Sequence, residues 1–259
     1  MALIKTPDEI SAMREGGHLL SRALKAAMDA VTVGATIAQV NVAGEQVILD
    51  GGGTPSFKGY RSHPEDMPFP STLCISVNEE IVHGLGNRDT ALKEGDIVGL
   101  DIGCWYKGLC TDMATTVAVG KADPEHAKLM EVTRASLLEG VKAARVGGTI
   151  KDISAAIESS VKPYGYGIVR ALVGHGVGHA VHESPHVPNF VSDQYPRVEI
   201  QDGMCLALEP MLGLGGRHEV ETGEDGWCIV MKDRSVGAHF EVTIAVTKAG
   251  VEILTPLPV

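Results

Sequence analysis

The chain has 259 residues, of which 44% are hydrophobic and 21% are charged. This length fits one large domain or two small ones, and the composition is normal for a soluble globular protein with a sizeable core. The net charge of -11 at pH 7 argues against nucleic acid or an anionic membrane as the main partner, and no apolar run approaches the ~20 residues that span a bilayer.

The first part of the chain predicts two helices, a loop and a strand. Pro7 to Glu9 is a helix-start signal, and apolar residues follow at helical spacing as far as Met28. A second helix is predicted from Ile37 to Leu49, and the three glycines shortly after it act as a break. Proline and glycine punctuate Thr54 to Pro70, which predicts a loop, and Ser71 to Val77 is predicted to be a strand.

The middle of the chain predicts a β-hairpin followed by two helices. Asp96 to Tyr106 and Leu109 to Val119 have the character of strands, with Lys107-Gly108 as the turn between them. Helices are predicted from Asp123 towards Arg145 and from Thr149 to Val161. The remaining predicted strands are Ile168 to Val173, which opens into a glycine-rich stretch, Met204 to Leu208, and Phe240 to Val246.

A weak internal echo relates two of these regions. Gly95 to Asp101 and Gly203 to Glu209 each consist of a glycine, an apolar run and a carboxylate six positions after the glycine. The next strand of each region carries another carboxylate, Asp112 in the first and Glu241 in the second. Two copies of one strand pair would build a pseudo-symmetric site, although chance similarity of two hairpins is the alternative.

Four carboxylates and one imidazole in short, distinctive contexts form a candidate metal site. They are a hard, mostly oxygen ligand set that suits two divalent cations able to activate a water for hydrolysis. Taken singly, an aspartate can cap a strand end, a buried histidine can be structural, and the glutamate before Pro210 can be a ligand, a proton acceptor or both. The five candidates are Asp101, Asp112, His175, Glu209 and Glu241.

The predicted hairpin favours the metal interpretation. It places Asp112 across from Asp101, and two facing carboxylates repel each other unless a cation or a proton lies between them. The other strand-borne carboxylates are costly to bury alone, and a metal ion neutralises them. Glycines on both sides of His175 free the backbone to place its ring against another group.

Two further histidines are candidates for catalysis outside the metal site. His83 lies in IVHG and His182 lies in AVHESP, and an imidazole can donate to a developing oxyanion or to a scissile amide nitrogen. Both could instead be ordinary structural histidines. The same ambiguity, with lower priority, applies to His179, His186 and His239.

One motif match is expected to be accidental. Residues 182–186 fit HExxH, a zinc-protease pattern that needs both histidines on one face of a helix. Pro185 lies inside that would-be helix, where proline costs ~3 kcal/mol. The glycines around His175 also imitate a dinucleotide-binding fingerprint, but their spacing is wrong and no capped helix follows.

Taken together, the motifs LDIG, TDMATT, GHGVGHAVHE, LALEPM, DGW and KDRSVGAHFEVT are highly specific. Over nearly its whole length the chain resembles the type I methionine aminopeptidases in their short bacterial form. Type II enzymes usually carry a long insertion before the last ligand, whereas only 32 positions separate Glu209 from Glu241. The resemblance implies one catalytic domain over residues 1–259 with an α/β (α+β) pita-bread fold, a curved antiparallel sheet with outer helices and internal pseudo-twofold symmetry.

The resemblance also implies a ligand scheme and a mechanism. Asp101 would chelate one of two divalent ions (cobalt, manganese, iron or zinc), Asp112 and Glu241 would bridge both, and His175 and Glu209 would complete the other shell. A bridging hydroxide would attack the carbonyl of an N-terminal methionine, with Glu209 as general base. His182 would polarise that carbonyl and His83 would contact the scissile amide.

A small apolar pocket for the methionine side chain is implied as well. Val181 stands where the family often has a bulkier aromatic residue, and the segment from Arg61 to Pro68 is longer than usual. His239 stands where another polar residue is expected, so it either adjusts the site or faces outward. The residues at the matching pocket positions are Tyr60, Phe69, Cys74 and Trp227.

The implied partner is the N-terminal methionine of nascent polypeptides with a small second residue, with the ribosome near the exit tunnel as a further partner of a monomeric enzyme. Five cysteines without a CxxC pair, and an N-terminus without an apolar signal-peptide core, predict a reduced, cytoplasmic protein. Two alternatives are an exopeptidase of the same fold that cleaves X-Pro bonds, and a metal-free binding module on this fold.

Overall fold

The computed structural model describes residues 4–61 and 63–258. No helix within those ranges combines the length with the apolar character that crossing a bilayer requires. A short 3-10 helix, Lys162–Tyr164, directly follows the last α-helix. The α-helices are Pro7–Ala30 (α1), Ile37–Asp50 (α2), Pro124–Ala143 (α3) and Ile150–Val161 (α4).

All four predicted helices are confirmed, and side-chain caps define where they begin. The Thr6 hydroxyl accepts from the Glu9 amide at the start of α1, and the Glu9 carboxylate accepts from the Thr6 amide. Thr36 and Thr149 form the same reciprocal arrangement before α2 and α4, and Asp123 caps α3. Such caps satisfy amide groups that lack a partner in the first helical turn.

The strands form one large sheet and two small ones. The large sheet is curled and has the order β1-β4-β5-β14-β9-β7-β8, with β2 on β4 and β15 on β14. In the described ranges the strands are Thr54–Pro55 (β1), Leu73–Val77 (β2), Glu80–Val82 (β3), Ile97–Tyr106 (β4), Leu109–Ala118 (β5), Gly167–Ile168 (β6), Gly174–Gly176 (β7), Glu183–Val187 (β8), Met204–Leu208 (β9), Met211–Gly213 (β10), Val220–Thr222 (β11), Ile229–Met231 (β12), Gly237–His239 (β13), Glu241–Thr247 (β14) and Gly250–Ile253 (β15).

The large sheet has two related halves. β5 pairs with β14 at its centre, β4 lies outside β5, and β9 lies outside β14, all antiparallel. Gly95 and Gly203, the glycines of the sequence echo, both adopt left-handed backbone with φ of 86° and 90°. An L-amino acid with a Cβ rarely adopts that conformation. The two regions therefore share a turn as well as a pattern, and the pita-bread fold is confirmed.

Alternation along the strands separates the core from the carboxylates. Leu100 belongs to the apolar core that α1 and α2 share with the first half of the sheet. Val242 belongs to the core that α3 and α4 share with the second half. Because successive strand side chains point to opposite faces, Asp101 and Glu241, their neighbours in sequence, lie on the face turned away from these cores.

Two strand predictions need correction. The predicted strand over 168–173 is wrong, because only Gly167–Ile168 is strand there and the next strand begins at Gly174. Val169 instead donates its amide to the Met211 carbonyl and packs in a separate apolar cluster, so it is buried although it is not itself part of a strand. At the predicted strand start, the Thr72 amide donates to the Asn41 side chain rather than to another strand.

The HExxH match is accidental, as predicted. Glu183–Val187 is a strand, and His182 precedes it. His182 and His186 therefore do not share a helix face, which the zinc-protease pattern requires.

Two helical glycines give a matched stability prediction. A Cβ at Gly17 would lie 2.0 Å from the Leu254 carbonyl oxygen, which is backbone, whereas a Cβ at Gly44 would meet a methyl of Leu73 at 2.9 Å. Gly17→Ala is expected to lower the free energy of unfolding by at least about 1–3 kcal/mol, because the backbone carbonyl cannot move aside easily. Gly44→Ala is expected to stay near wild type, since the methyl can move and alanine favours helix by ~1 kcal/mol. Urea unfolding checks this, and equal effects would contradict it.

Candidate active site

Sheet register brings the carboxylates together. Ala114 of β5 is the partner of Asp101 on one side and of Glu241 on the other. Asp112 lies two positions before Ala114 and so points to the same face. Asp112 is opposite Gly103 rather than Asp101, so the prediction that the two aspartates face each other directly is wrong. They lie diagonally on one face.

His175 and Glu209 complete this cluster from the other half of the sheet. His175 pairs with Ala207 of β9, and Glu209 lies two positions further along the chain. The His175 Nδ1 is 2.9 Å from the Gly176 carbonyl oxygen. Because a carbonyl only accepts, Nδ1 carries the proton and Nε2 keeps its lone pair. The Nε2 atom lies 3.6 Å from a Glu209 oxygen. The ring therefore directs its free lone pair toward the carboxylate cluster, as a metal-binding imidazole does.

The electrostatics of the cluster fit divalent cations. Ligand atoms of Asp112, His175 and Glu241 all lie within 4.8 Å of one another. Burial raises the pKa of Asp101 to about 7, and burial together with carboxylate repulsion raises the pKa values of the other three well above normal. Within the described chain, one oxygen each of Asp101, Asp112 and Glu241 is buried without a hydrogen-bond partner. Cations would satisfy these oxygens and offset the repulsion.

The raised pKa values predict an unusual pH dependence for metal-free protein. Folded Asp101 binds its proton more tightly than the unfolded chain does, so folding takes up protons and stability falls as pH rises through about 7. In EDTA the melting temperature is expected to fall between about pH 5 and about pH 8. Added Mn²⁺ should remove this trend, and a melting temperature that rises with pH in EDTA would contradict it.

A cavity of about 540 Å³ adjoins the cluster, and all eleven predicted site residues line it. At its apolar end the rings of Phe69 and Trp227 meet edge to face, with centroids 5.3 Å apart. Val181 does not line the cavity and packs in a separate apolar cluster. His186, a lower-priority candidate from the sequence, also lines the cavity. The lining residues that the sequence analysis did not consider as site residues are Phe57, Val82, Ala171, Leu172, Val173, Glu183 and Ser184.

Two lining histidines have distinct environments. His83 adopts left-handed backbone with φ of 58°, and burial lowers its pKa to about 4, so its ring is neutral at pH 7. His182 Nδ1 lies 3.0 Å from the Tyr60 hydroxyl, and its ring meets that of His175 edge to face at 4.5 Å. Both rings therefore offer uncharged polar groups to a ligand in the cavity.

His239 faces inward, which settles the orientation that the sequence left open. The Thr116 hydroxyl bonds to both the amide and the carbonyl of His239. Its Nε2 lies 3.7 Å from Glu209 and 3.9 Å from Glu241. Burial lowers its pKa to about 3, so at pH 7 a neutral imidazole lies within 4 Å of the Glu209 and Glu241 carboxylates.

Comparison with known proteins agrees with this geometry. Residues 11–248 match metallopeptidase family M24. The methionine aminopeptidase of Borreliella burgdorferi is 41% identical over 243 residues, which is 94% of each chain. The crystal structure of the methionine aminopeptidase of Thermotoga maritima is 39% identical, with a TM-score of 0.92 over 98% of this chain and 99% of that one.

A second structure marks the limits of the similarity. The prolidase of Pyrococcus furiosus has a TM-score of 0.77 at 22% identity, and this chain spans 66% of it. That match shows a shared fold alone, whereas the aminopeptidases match in sequence over almost their full length. The chain therefore belongs to metallopeptidase family M24 and, within it, to the methionine aminopeptidases.

Proposed function

We propose that residues 1–259 form a single catalytic domain that removes the N-terminal methionine from polypeptides whose second residue is small. One observation carries the proposal. The same cavity is lined by the rings of Phe69 and Trp227, which meet edge to face, and by the cluster of carboxylates; Cys74, which also lines it, is the strand partner of Asp101. An unbranched methionine side chain suits the apolar part of this lining, and the bond after it would then lie at the cluster.

The cluster is proposed to hold two divalent ions, with cobalt, manganese, iron and zinc all compatible with its ligands. Bound ions would supply Lewis acidity and lower the pKa of a coordinated water to ~7. Asp101 would bind one ion, Asp112 and Glu241 both, and His175 and Glu209 the other. The buried carboxylate oxygens without partners support this assignment.

Glu209 is proposed to be the general base. It borders the cavity, and burial with the neighbouring carboxylates raises its pKa well above normal. A carboxylate at this place could accept a proton from the attacking water and pass it to the leaving amine. The Asn189 side-chain amide holds the Glu209 backbone carbonyl at 3.1 Å.

His182 is proposed to stabilise the developing oxyanion. If the Tyr60 hydroxyl donates to Nδ1 across 3.0 Å, Nε2 carries the proton and is the free donor. That donor would face the carbonyl oxygen of the scissile bond. His83 is proposed to contact the amide nitrogen of the same bond, as a neutral ring.

Tyr60→Phe tests this tautomer. It removes the hydroxyl but keeps the ring against His182, so we expect kcat to fall about three- to tenfold, the effect of one neutral hydrogen bond. Steady-state kinetics on Met-Ala-Ser measures it. Tyr164→Phe, at an exposed ring outside the cavity lining, is the matched control, and equal kcat in Tyr60→Phe and wild type would remove this role.

A peptide panel tests the function. Purified protein with Co²⁺, Mn²⁺ or Fe²⁺ is expected to release methionine from Met-Ala-Ser and to leave X-Pro peptides intact. The reverse outcome would revive the X-Pro alternative, and no hydrolysis with any metal would revive the binding module. Neither alternative is favoured by the comparisons, since the full-length relatives are methionine aminopeptidases.

Three further expectations belong to this proposal. We infer a monomer that works in the cytoplasm on nascent chains close to the ribosome. The five cysteines are buried and unpaired, as expected of a protein in a reducing compartment. Light scattering of the purified protein and co-sedimentation with ribosomes would test the oligomeric state and the association.

A further inference from the structure

A buried ion pair lies directly beside His182. Lys5 Nζ is 2.5 Å from a carboxylate oxygen of Glu183, and the two side chains are 0% and 2% exposed. The pair joins the segment before α1 to the residue that follows His182. Neither residue is part of the proposed chemistry, although Glu183 borders the cavity.

The Glu183 carboxylate also closes the loop that carries His182, which comprises residues 177–182 between β7 and β8. Its second oxygen accepts the amide of His179 at 2.5 Å and the amide of Ala180 at 3.0 Å. The carboxylate of the residue after His182 thereby binds two amides that precede His182, so the loop is closed around that histidine. Charge-assisted bonds of this kind are stronger than neutral ones, so Glu183 fixes the conformation of the loop.

The loop is fixed at its start as well. The Gly178 carbonyl accepts the amide of Cys110 at 2.7 Å, two residues before Asp112 in β5. Gly178 has φ of 141°, and a Cβ there would lie 2.3 Å from the Lys5 Cε. The aliphatic part of the Lys5 side chain therefore crosses the loop at Gly178, where a residue with a Cβ would clash. Gly178 thus contacts both Lys5 and β5, the strand that carries Asp112.

The other end of the linkage is anchored to α1 and β9. The Lys5 amide donates to the Gly203 carbonyl at 2.8 Å, at the turn before β9. Glu9, which forms the cap of α1 with Thr6, lies 2.7 Å from His179 Nε2. Two separate contacts, one from Lys5 before α1 and one from Glu9 in its first turn, thus connect the start of α1 to the His182 loop.

Stability alone is a poor reason for this ion pair. Removing two charges from water costs several kcal/mol per ion, and apolar residues of similar volume often serve as well or better. What buried ions provide at this place is directional contact, and the Glu183 carboxylate directs its contacts to the amides of His179 and Ala180 in the His182 loop. We propose that Lys5 and Glu183 are positioning residues that hold His182 at the cavity for its role in the proposed reaction.

The experiment compares Lys5→Met, Glu183→Gln and the double variant in the metal-loaded enzyme. The double variant removes both charges of the pair together, so it is expected to fold with a melting temperature near wild type. Its kcat for Met-Ala-Ser is expected to fall about ten- to a hundredfold, as misplaced catalytic groups do, with KM nearly unchanged. Arg14→Met, which breaks the exposed link from α1 to Glu252, is the matched control and should keep wild-type kcat.

Combining the double variant with His182→Ala distinguishes an effect through His182 from a general effect on the structure. In His182→Ala enzyme the double variant is expected to have no further effect on kcat, because the pair acts through the missing ring. A full additional loss in that background would overturn the proposal. Unchanged kcat of the double variant in wild-type background would overturn it as well.

One readout is independent of the proposed function. Imidazole NMR signals of His182 in the free protein are expected to shift in the double variant, whereas those of His239 stay in place. Unshifted His182 signals would overturn the proposal even if the enzyme is inactive on every peptide. If the wild-type protein releases no methionine but the His182 signals still shift in the double variant, the result counts against the proposed function and supports the positioning role.

Discussion

Asp112→Ala is expected to lower kcat/KM for Met-Ala-Ser by at least about 10³-fold, since a catalytic metal supplies several kcal/mol of stabilisation to the transition state. Asp112 lies two positions from Ala114, the strand partner of both Asp101 and Glu241, and so lies diagonally from each of them. It also shares the 4.8 Å ligand group with His175. Loss of its carboxylate therefore removes oxygen ligands from the centre of the site.

Metal content and stability distinguish this effect from misfolding. Asp193→Ala, at a side chain that is 97% exposed, serves as the control and should bind metal as wild type does. In EDTA, Asp112→Ala is expected to melt at a higher temperature than wild type, because one of four repelling carboxylates is gone. Addition of Mn²⁺ should then stabilise wild type far more. A variant that retains full metal content and kcat would contradict the assignment.

His182→Ala is expected to lower kcat by about 10²- to 10³-fold, the usual loss when one oxyanion donor is removed. Its ring is set by Tyr60 on one side and by the edge of His175 on the other. KM is expected to change little, because the donor acts mainly on charge that develops in the transition state.

Two further variants sharpen the result. His182→Gln, whose amide is also a donor, should recover part of the lost kcat. His18→Ala, on the exposed face of α1, is the matched control. A His182→Ala enzyme with wild-type kcat would exclude the proposed role and would also remove the basis for positioning by Lys5 and Glu183.

The parts of the molecule that local chemistry decides were predictable. Thr6 and Asp123 mark helix starts, and Gly95 with Gly203 marks two related turns, because caps and left-handed glycines act within a few residues. The same local contexts singled out eleven of the residues that line the cavity. Their individual roles stay predictions.

The parts that depend on distant pairing were not predictable. Val169 lies outside a strand, although its amide bonds to Met211, and it is buried in a separate apolar cluster. Glu183 is unremarkable in sequence, and its importance appears only with Lys5, 178 positions earlier, beside it. Likewise the diagonal placement of Asp112 depends on a register that composition does not specify.

The central pairing of β5 with β14 has a consequence for the order of assembly. It pairs Ala114 with Glu241 across 127 positions, so we expect this contact to form late in folding, because closing so long a loop has a high entropic cost. A nascent chain that has folded only the first half of the sheet presents two carboxylates and no imidazole from the second half. Tight metal uptake therefore reports that the long-range closure of the sheet is complete.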